Sequence, residues 1–267
     1  MMGVGSKISG LSAKALLPHP RYHFHGFAPD IILGDSKFFD RSGPENHGVR
    51  GANLSEANML ANAGYVSTID PVGGAADSVL RLPNLNFDYN GGEKLILWWL
   101  GKITPEGSSV EFIGDGGFST SYPGVSVRAT STGKAQLKFS DATSTYFSGT
   151  TTSTAFDGNL HSLGVVVDGA AKKGGVWVDD VLDALNPSGP ITLNGGNPMD
   201  TRNANTFNVG TNLPAISGST VGVATQTRAL HLLRLSAADP MPHHTAVSSV
   251  FRQLRANPGR AILGWAF

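Results

Sequence analysis

Along most of this chain, apolar residues recur at every second position in short bursts. Val125, Val127 and Ala129 alternate with Ser126 and Arg128, and Leu163, Val165 and Val167 share a period of two on either side of Val166. That period places alternate side chains on opposite faces of a strand, so these segments bury at least one face. The pattern predicts strands over residues 79–82, 95–103, 110–113, 125–129, 135–139, 144–148, 161–167, 175–178, 206–209 and 229–235. Between them stand Asn90-Gly91-Gly92, Asp115-Gly116-Gly117, Thr132-Gly133, Asp157-Gly158, Asp168-Gly169 and Asn194-Gly195-Gly196, residues that adopt turn geometry at low cost. No helical pattern separates the strands, so an antiparallel meander is expected and a parallel βαβ order is not.

A helical period is clear at the C-terminal end. Val247, Val250, Phe251 and Leu254 fall at i, i+3, i+4 and i+7, Asp239, Pro240 and Pro242 precede them, and Asn257-Pro258-Gly259 stops the run, predicting a helix over about 242–256. Arg252 and Arg255 lie near its C-terminal end, where positive charge suits the helix dipole. Residues 1–45 follow neither period. They hold His19, Tyr22, His23, Phe24, His25 and Phe27, too aromatic for a free solvated tail. They read as an extended N-terminal arm ordered on its own domain or on a neighbouring subunit, with Tyr22, Phe24 and Phe27 as its contacts. A first irregular strand of the same domain is the alternative. Residues 46–267 then form one domain that includes the helix.

Composition narrows the class. The 267 residues contain 34 glycines and 15 prolines, with only 15% charged, which suits many short strands joined by turns. Formal net charge is zero and like charges are not blocked together, so neither nucleic acid nor an anionic membrane is an expected partner. Cysteine is absent, which excludes disulfides and thiolate metal sites. The first twenty residues lack a continuous apolar stretch of the signal-peptide kind, and no segment reaches membrane-spanning length, so a soluble protein without a standard export signal is expected.

The segment Ala155-Phe-Asp-Gly-Asn-Leu-His161-Ser-Leu-Gly-Val-Val-Val-Asp168-Gly, followed by Gly175-Val-Trp-Val-Asp-Asp-Val-Leu182, resembles the most recognisable stretch of concanavalin A-like (laminin-G-like and pentraxin-like) sandwiches. There an Asp-Gly-x-Trp-His turn leads into a buried strand and a hairpin that ends in Asp-Gly. Leu160 stands where that pattern has Trp, and Asp180 where it has Gly. The run Lys94-Leu-Ile-Leu-Trp-Trp-Leu-Gly-Lys102 looks like the family's early central strand, Thr206-Phe-Asn-Val-Gly210 like a strand closed by glycine, and Thr227-Arg-Ala-Leu230 like the run before a late helix. Together these cover residues 79–256. The resemblance implies an all-β fold, an antiparallel two-sheet jelly-roll sandwich. Such a domain behind an Asp-x-Ser-Gly-x-x-x-His-Gly stretch, here residues 40–48, resembles structural proteins of tailed bacteriophages.

The chemical candidates are mostly bland. Glycosidases of this architecture set paired carboxylates on one strand, and Glu45, Glu56, Glu93, Glu106 and Glu111 form no such pattern. Glu111 and Asp115 are expected to be solvated across a turn. His23 with His25, and His243 with His244, have imidazoles to offer a metal but no acidic or thiolate partner nearby, so arm packing and surface exposure are expected of them. His161 is expected to bond a backbone carbonyl at a strand start. No Gly-x-Ser-x-Gly elbow occurs, and no glycine-rich turn opens a helix as a phosphate loop would. Calcium has weak candidates in the turn carboxylates Asp115 and Asp141, though turn formation is the expected role, and no cofactor is implied. A sugar site needs an aromatic platform beside amides, and Tyr122, Tyr146, Asn194 and Asn197 are residues of that kind. Trp98 and Trp99 are neighbours on one strand, so only one can face inward. The other is expected beneath the arm or at an interface.

These observations lead to two expectations. The first is a non-enzymatic virion protein of a tailed phage, in capsid, tail or tail tip, whose partners are other virion subunits in a homo-oligomer. The alternative is a carbohydrate-binding module that attaches to a host surface glycan.

Overall fold

The computed structural model describes residues 20–27, 37–38, 46–50, 66–68, 80–83, 93–105, 107, 109–116, 124–140, 145–168, 171–184, 191–192, 207–210, 225–235 and 239–257. Their strands, numbered along the chain, form two antiparallel sheets. The first runs in the order β1 (Pro20–Phe27), β16 (Thr225–Leu235), β6 (Lys94–Ile103), β11 (His161–Asp168), β12 (Lys173–Val178) and β13 (Val181–Leu182), with β4 (Val66–Thr68) beside β16 and β14 (Ile191–Thr192) beside β12. The second runs β10 (Thr145–Thr154), β9 (Lys134–Ser140), β8 (Gly124–Ala129), β7 (Val110–Gly114), β15 (Phe207–Val209), β5 (Leu80–Leu82), β3 (Gly48–Arg50) and β2 (Lys37–Phe38). The fold is an all-β sandwich with a C-terminal helix, α1 (Met241–Ala256).

The predicted strands are present with ends moved by a residue or two, and two run further. β10 continues to Thr154 and β16 begins at Thr225. Part of the N-terminal segment read as an arm is a strand of the first sheet: in β1, Tyr22 stands opposite Arg234, Phe24 opposite Leu232 and Phe27 opposite Ala229. No described helix is long and apolar enough to cross a membrane.

Between the sheets lies a core of alternate residues from both inner faces, including Leu95, Leu97, Trp99, Phe112, Val125, Val127, Leu137, Phe139, Phe156, Leu163, Val165 and Val167. Trp99 meets Phe112 and Phe156 edge-on, with ring centroids 5.3 and 6.0 Å away, and its indole N–H donates to Thr227 Oγ1 at 3.0 Å. This is how a tryptophan is buried without stranding its polar atom. Trp98 points out of the other face, yet it is fully buried too. It lies beneath α1, in a second cluster with Ile96, Leu100, Val166, Leu233, Val250 and Phe251. The expectation that the outward tryptophan would sit under the arm or at an interface is thus corrected, because the apolar stripe of α1 supplies its cover. Gly164, opposite Trp98 on β11, leaves room for that indole, since a Cβ there would come within 2.5 Å of Trp98 ring carbons.

One carboxylate joins the edges of the two sheets. Asp183, just after β13, accepts hydrogen bonds from the Thr152 amide at 2.7 Å, the Ser153 amide at 2.9 Å and the Thr152 hydroxyl, all on β10. Burial opposes its ionisation, and the hydrogen bonds from Ser153 and Thr152 outweigh that, holding the carboxyl below the usual carboxylate range. A carboxyl depressed in the folded state stabilises the fold above its unfolded pKa, and that contribution is lost as pH falls through the carboxylate range.

Two outcomes follow from this packing. Val165→Asp puts an unpaired carboxylate between the sheets at a cost of several kcal/mol, so soluble folded protein should be lost; a melting temperature within a few degrees of wild type would contradict the assigned face. Asp183→Ala leaves two strand amides without their acceptor and should cost about 2 to 4 kcal/mol in chemical denaturation at pH 7, with the difference from wild type shrinking below about pH 4.

Candidate functional site

The two outer faces of the sandwich differ. On the first sheet the outer face is apolar and closed by α1. On the second, the alternation that sends Val125, Val127, Leu137 and Phe139 inward sends polar residues outward. Strand register sets them in rows. Arg81, Asn208, Gly114, Ser126, Lys138 and Ser148 stand opposite one another across β5, β15, β7, β8, β9 and β10. Glu111, Arg128, Gln136 and Thr150 form a parallel row. Ser126, Lys138 and Asn208 are buried, whereas Arg81, Glu111, Arg128 and Gln136 are half-exposed. Arg128 Nε donates to Gln136 Oε1. Burial lowers the pKa of both Arg128 and Lys138, and the Glu111 carboxylate near each opposes that shift. The expectation of a solvated Glu111 and Asp115 is corrected, since Glu111 is drawn into this face by its cationic neighbours and Asp115 is only 2% exposed. The guanidinium groups of Arg81 and Arg128 and the amide of Gln136, partly exposed and fixed on a rigid sheet, are suited to hydrogen-bonding a polyhydroxylated or anionic ligand.

A second polar cluster lies where β11 begins, at the β12–β13 turn and against α1. Asp179 and Asp180 form that turn with φ of 53° and 68°, the left-handed conformation a two-residue hairpin needs at both central positions. His161 Nδ1 lies 2.7 Å from Asp179 Oδ2, and its Nε2 lies 3.0 Å from Asp157 Oδ1. The expected backbone-carbonyl partner is therefore corrected: two carboxylates bracket the ring because Asp157-Gly158 and the β12–β13 turn fold to either side of it. The hydrogen bond to Asp179 raises the His161 pKa against the effect of burial. Asp179 also accepts from the Ser162 amide at 3.0 Å and pairs with Arg255 of α1. Asp180 accepts the Ser248 hydroxyl at 3.0 Å and pairs with Arg252 at 3.4 Å. Both ring nitrogens of His161 are taken by carboxylates, so the imidazole is paired with no hydroxyl, and the partners of Asp179 and Asp180 fasten the helix to the sheet.

The sequence-derived sugar candidates fall mostly outside the described residues. Tyr122, Asn194 and Asn197 lie outside the described residues, as does Asp141, and Tyr146 sits where β10 shifts register against β9, its side chain outside the described atoms. Asp115 closes the β7–β8 turn, its Oδ1 accepting the Val125 amide at 2.9 Å. Among the described residues no three His, Asp or Glu side chains group as a metal site. His243 and His244, expected at the surface, are buried at the start of α1, because the helix sets that turn down onto Trp98 and Trp177. The polar rows were missed in the sequence, although their signal was the set of residues between the apolar positions of β8 and β9.

No protein-family model matches the chain, and no curated protein does. Solved structures share its fold. A Trypanosoma rangeli sialidase in complex with sialic acid matches with TM-score 0.52 and 11% identity, over 88% of this chain and 32% of that one. The binding domain of botulinum neurotoxin serotype D matches with TM-score 0.53 and 11% identity, over 85% of this chain and 51% of that one. This chain thus spans about a third of the sialidase and half of the toxin domain. The chain has a β-sandwich fold shared with these sialidase and neurotoxin binding-domain structures.

Proposed function

We propose that this chain is a non-enzymatic recognition module whose ligand is a carbohydrate, bound on the polar outer face of the second sheet. The observation that carries this reading is the contrast between the two outer faces: one sealed by α1, the other lined with Arg81, Glu111, Arg128 and Gln136 in register rows. A sialidase in complex with sialic acid shares the fold, which supports a sugar as the ligand class. Against a hydrolytic role stands the composition of that face, on which, among the described residues, Glu111 has no second carboxylate at the same register and lies among cations.

A second reading, a virion assembly component, is favoured by the edge strand β13, where Val181 and Leu182 are 68% and 54% exposed. Apolar residues on an open sheet edge suit a contact with another subunit. Tailed-phage structural proteins, with their virion location, enter through the sequence resemblance described above.

A glycan array followed by calorimetry separates the readings. Wild type should bind a defined set of saccharides, and Arg128→Ala with Gln136→Ala should weaken binding tenfold or more while leaving the melting temperature within a few degrees. No bound glycan together with an oligomer that Leu182→Glu dissociates would favour assembly. Release of reducing sugar from a bound glycan, abolished by Glu111→Gln, would overturn the non-enzymatic assignment.

A further inference from the structure

The first turn of α1 is held to the sheet by an imidazole that can be held in that way only when it is neutral. Trp98 Nε1–H donates to His244 Nδ1 at 3.3 Å, so that nitrogen must carry a lone pair. The same ring lies 3.9 Å from the Trp177 ring and 5.4 Å from that of Trp98, between two indoles, with only 4% of the residue exposed. The remaining half of the helix is held differently. Ser248 and Arg252 bind Asp180, and Arg255 binds Asp179, whose other partners are His161 and the Ser162 amide.

We propose that His244 is an acid-sensitive latch: neutral, it holds the first turns of α1 between Trp98 and Trp177, and protonated it releases them from the first sheet. Protonation removes the acceptor for Trp98 and puts a charge in an apolar slot. Of the ionisable groups around the latch only Asp180 favours the charged imidazole, and its effect is smaller than that of burial. On α1 and its lead-in these are His243, itself buried, and exposed Asp239. From the β12–β13 turn comes Asp180, already engaged by Ser248, Arg252 and Arg255. On β16 His231 stands opposite Trp98 and is buried, and β11 contributes His161, committed to Asp157 and Asp179.

The linkage has a definite sign. Burial pushes the His244 pKa down to about 4, with Asp180 opposing. A histidine whose pKa is depressed in the docked state favours docking at neutral pH, and that preference is lost as pH falls below its undocked value of about 6.5. With those two values the undocked-to-docked ratio rises roughly 30-fold between pH 7.5 and pH 5. His161 works the other way. Its pKa is raised, so acid strengthens its hold on Asp179 and the Arg255 end stays fastened. The release is therefore confined to the first half of α1, and it uncovers Trp98.

Hydrogen exchange of the whole chain at pH 7.5 and pH 5, corrected for the intrinsic pH dependence of exchange, tests this. Amides at 244–250 should lose protection by roughly 30-fold at pH 5 while those of β6 and β11 keep theirs. His244→Gln retains an acceptor for Trp98 but does not titrate, and should abolish the loss; His243→Gln should leave it in place. Unchanged wild-type protection at pH 5 would overturn the latch whether or not the variants fold, and so would an equal acid response in His244→Gln or its disappearance in His243→Gln.

Discussion

The constraint on which the rest depends is the burial of two adjacent tryptophans on one strand. Successive side chains on β6 point to opposite faces, so Trp98 and Trp99 cannot share a core. Trp99 demands a second sheet facing the first, and Phe112 and Phe156 supply its contacts. Trp98 demands a cover on the far side, and α1 supplies it through Phe251, with centroids 5.6 Å apart. β6 is therefore central in both directions: between β16 and β11 within its sheet, and between the opposite sheet and the helix across it. This explains why its apolar run is continuous where most other strands alternate.

That three-layer arrangement divides the surface into regions with different uses. The face under α1 is consumed in stability, apart from the His244 contact. The polar face of the second sheet, where Arg81, Glu111, Arg128 and Gln136 are partly exposed, has its side chains anchored on strands that already pair on both sides, which fixes their spacing far better than loops would. A binding function there needs no rearrangement of the core. The polar groups at the helix have the opposite role, since every described partner of Asp179 and Asp180 ties α1 or β11 to the β12–β13 turn.

Much of this was legible in the sequence. Period-two alternation located the strands, turn residues separated them, and the 3.6 period of Val247, Val250, Phe251 and Leu254 located α1 and its buried stripe. These are local properties, decided by backbone geometry and by which side chains avoid water. Even the polar outer face was present as Ser126 and Arg128 on β8, and Gln136 and Lys138 on β9.

What the sequence could not decide was which of these faces meets which. Nothing local says that Arg81 and Asn208, 127 positions apart, stand side by side with the β7–β10 meander, because that register is set by long-range pairing of β5 with β15 and of β15 with β7. Nor does the His243-His244 pair announce its burial. Its surroundings come from β6, β12 and α1, and only their packing turns a surface-like dipeptide into a neutral imidazole between two indoles. The sequence by itself determined the elements and their buried sides, through local periodicity. The tertiary structure decided the partners, because hydrogen-bond register and layer packing join residues that the chain holds far apart.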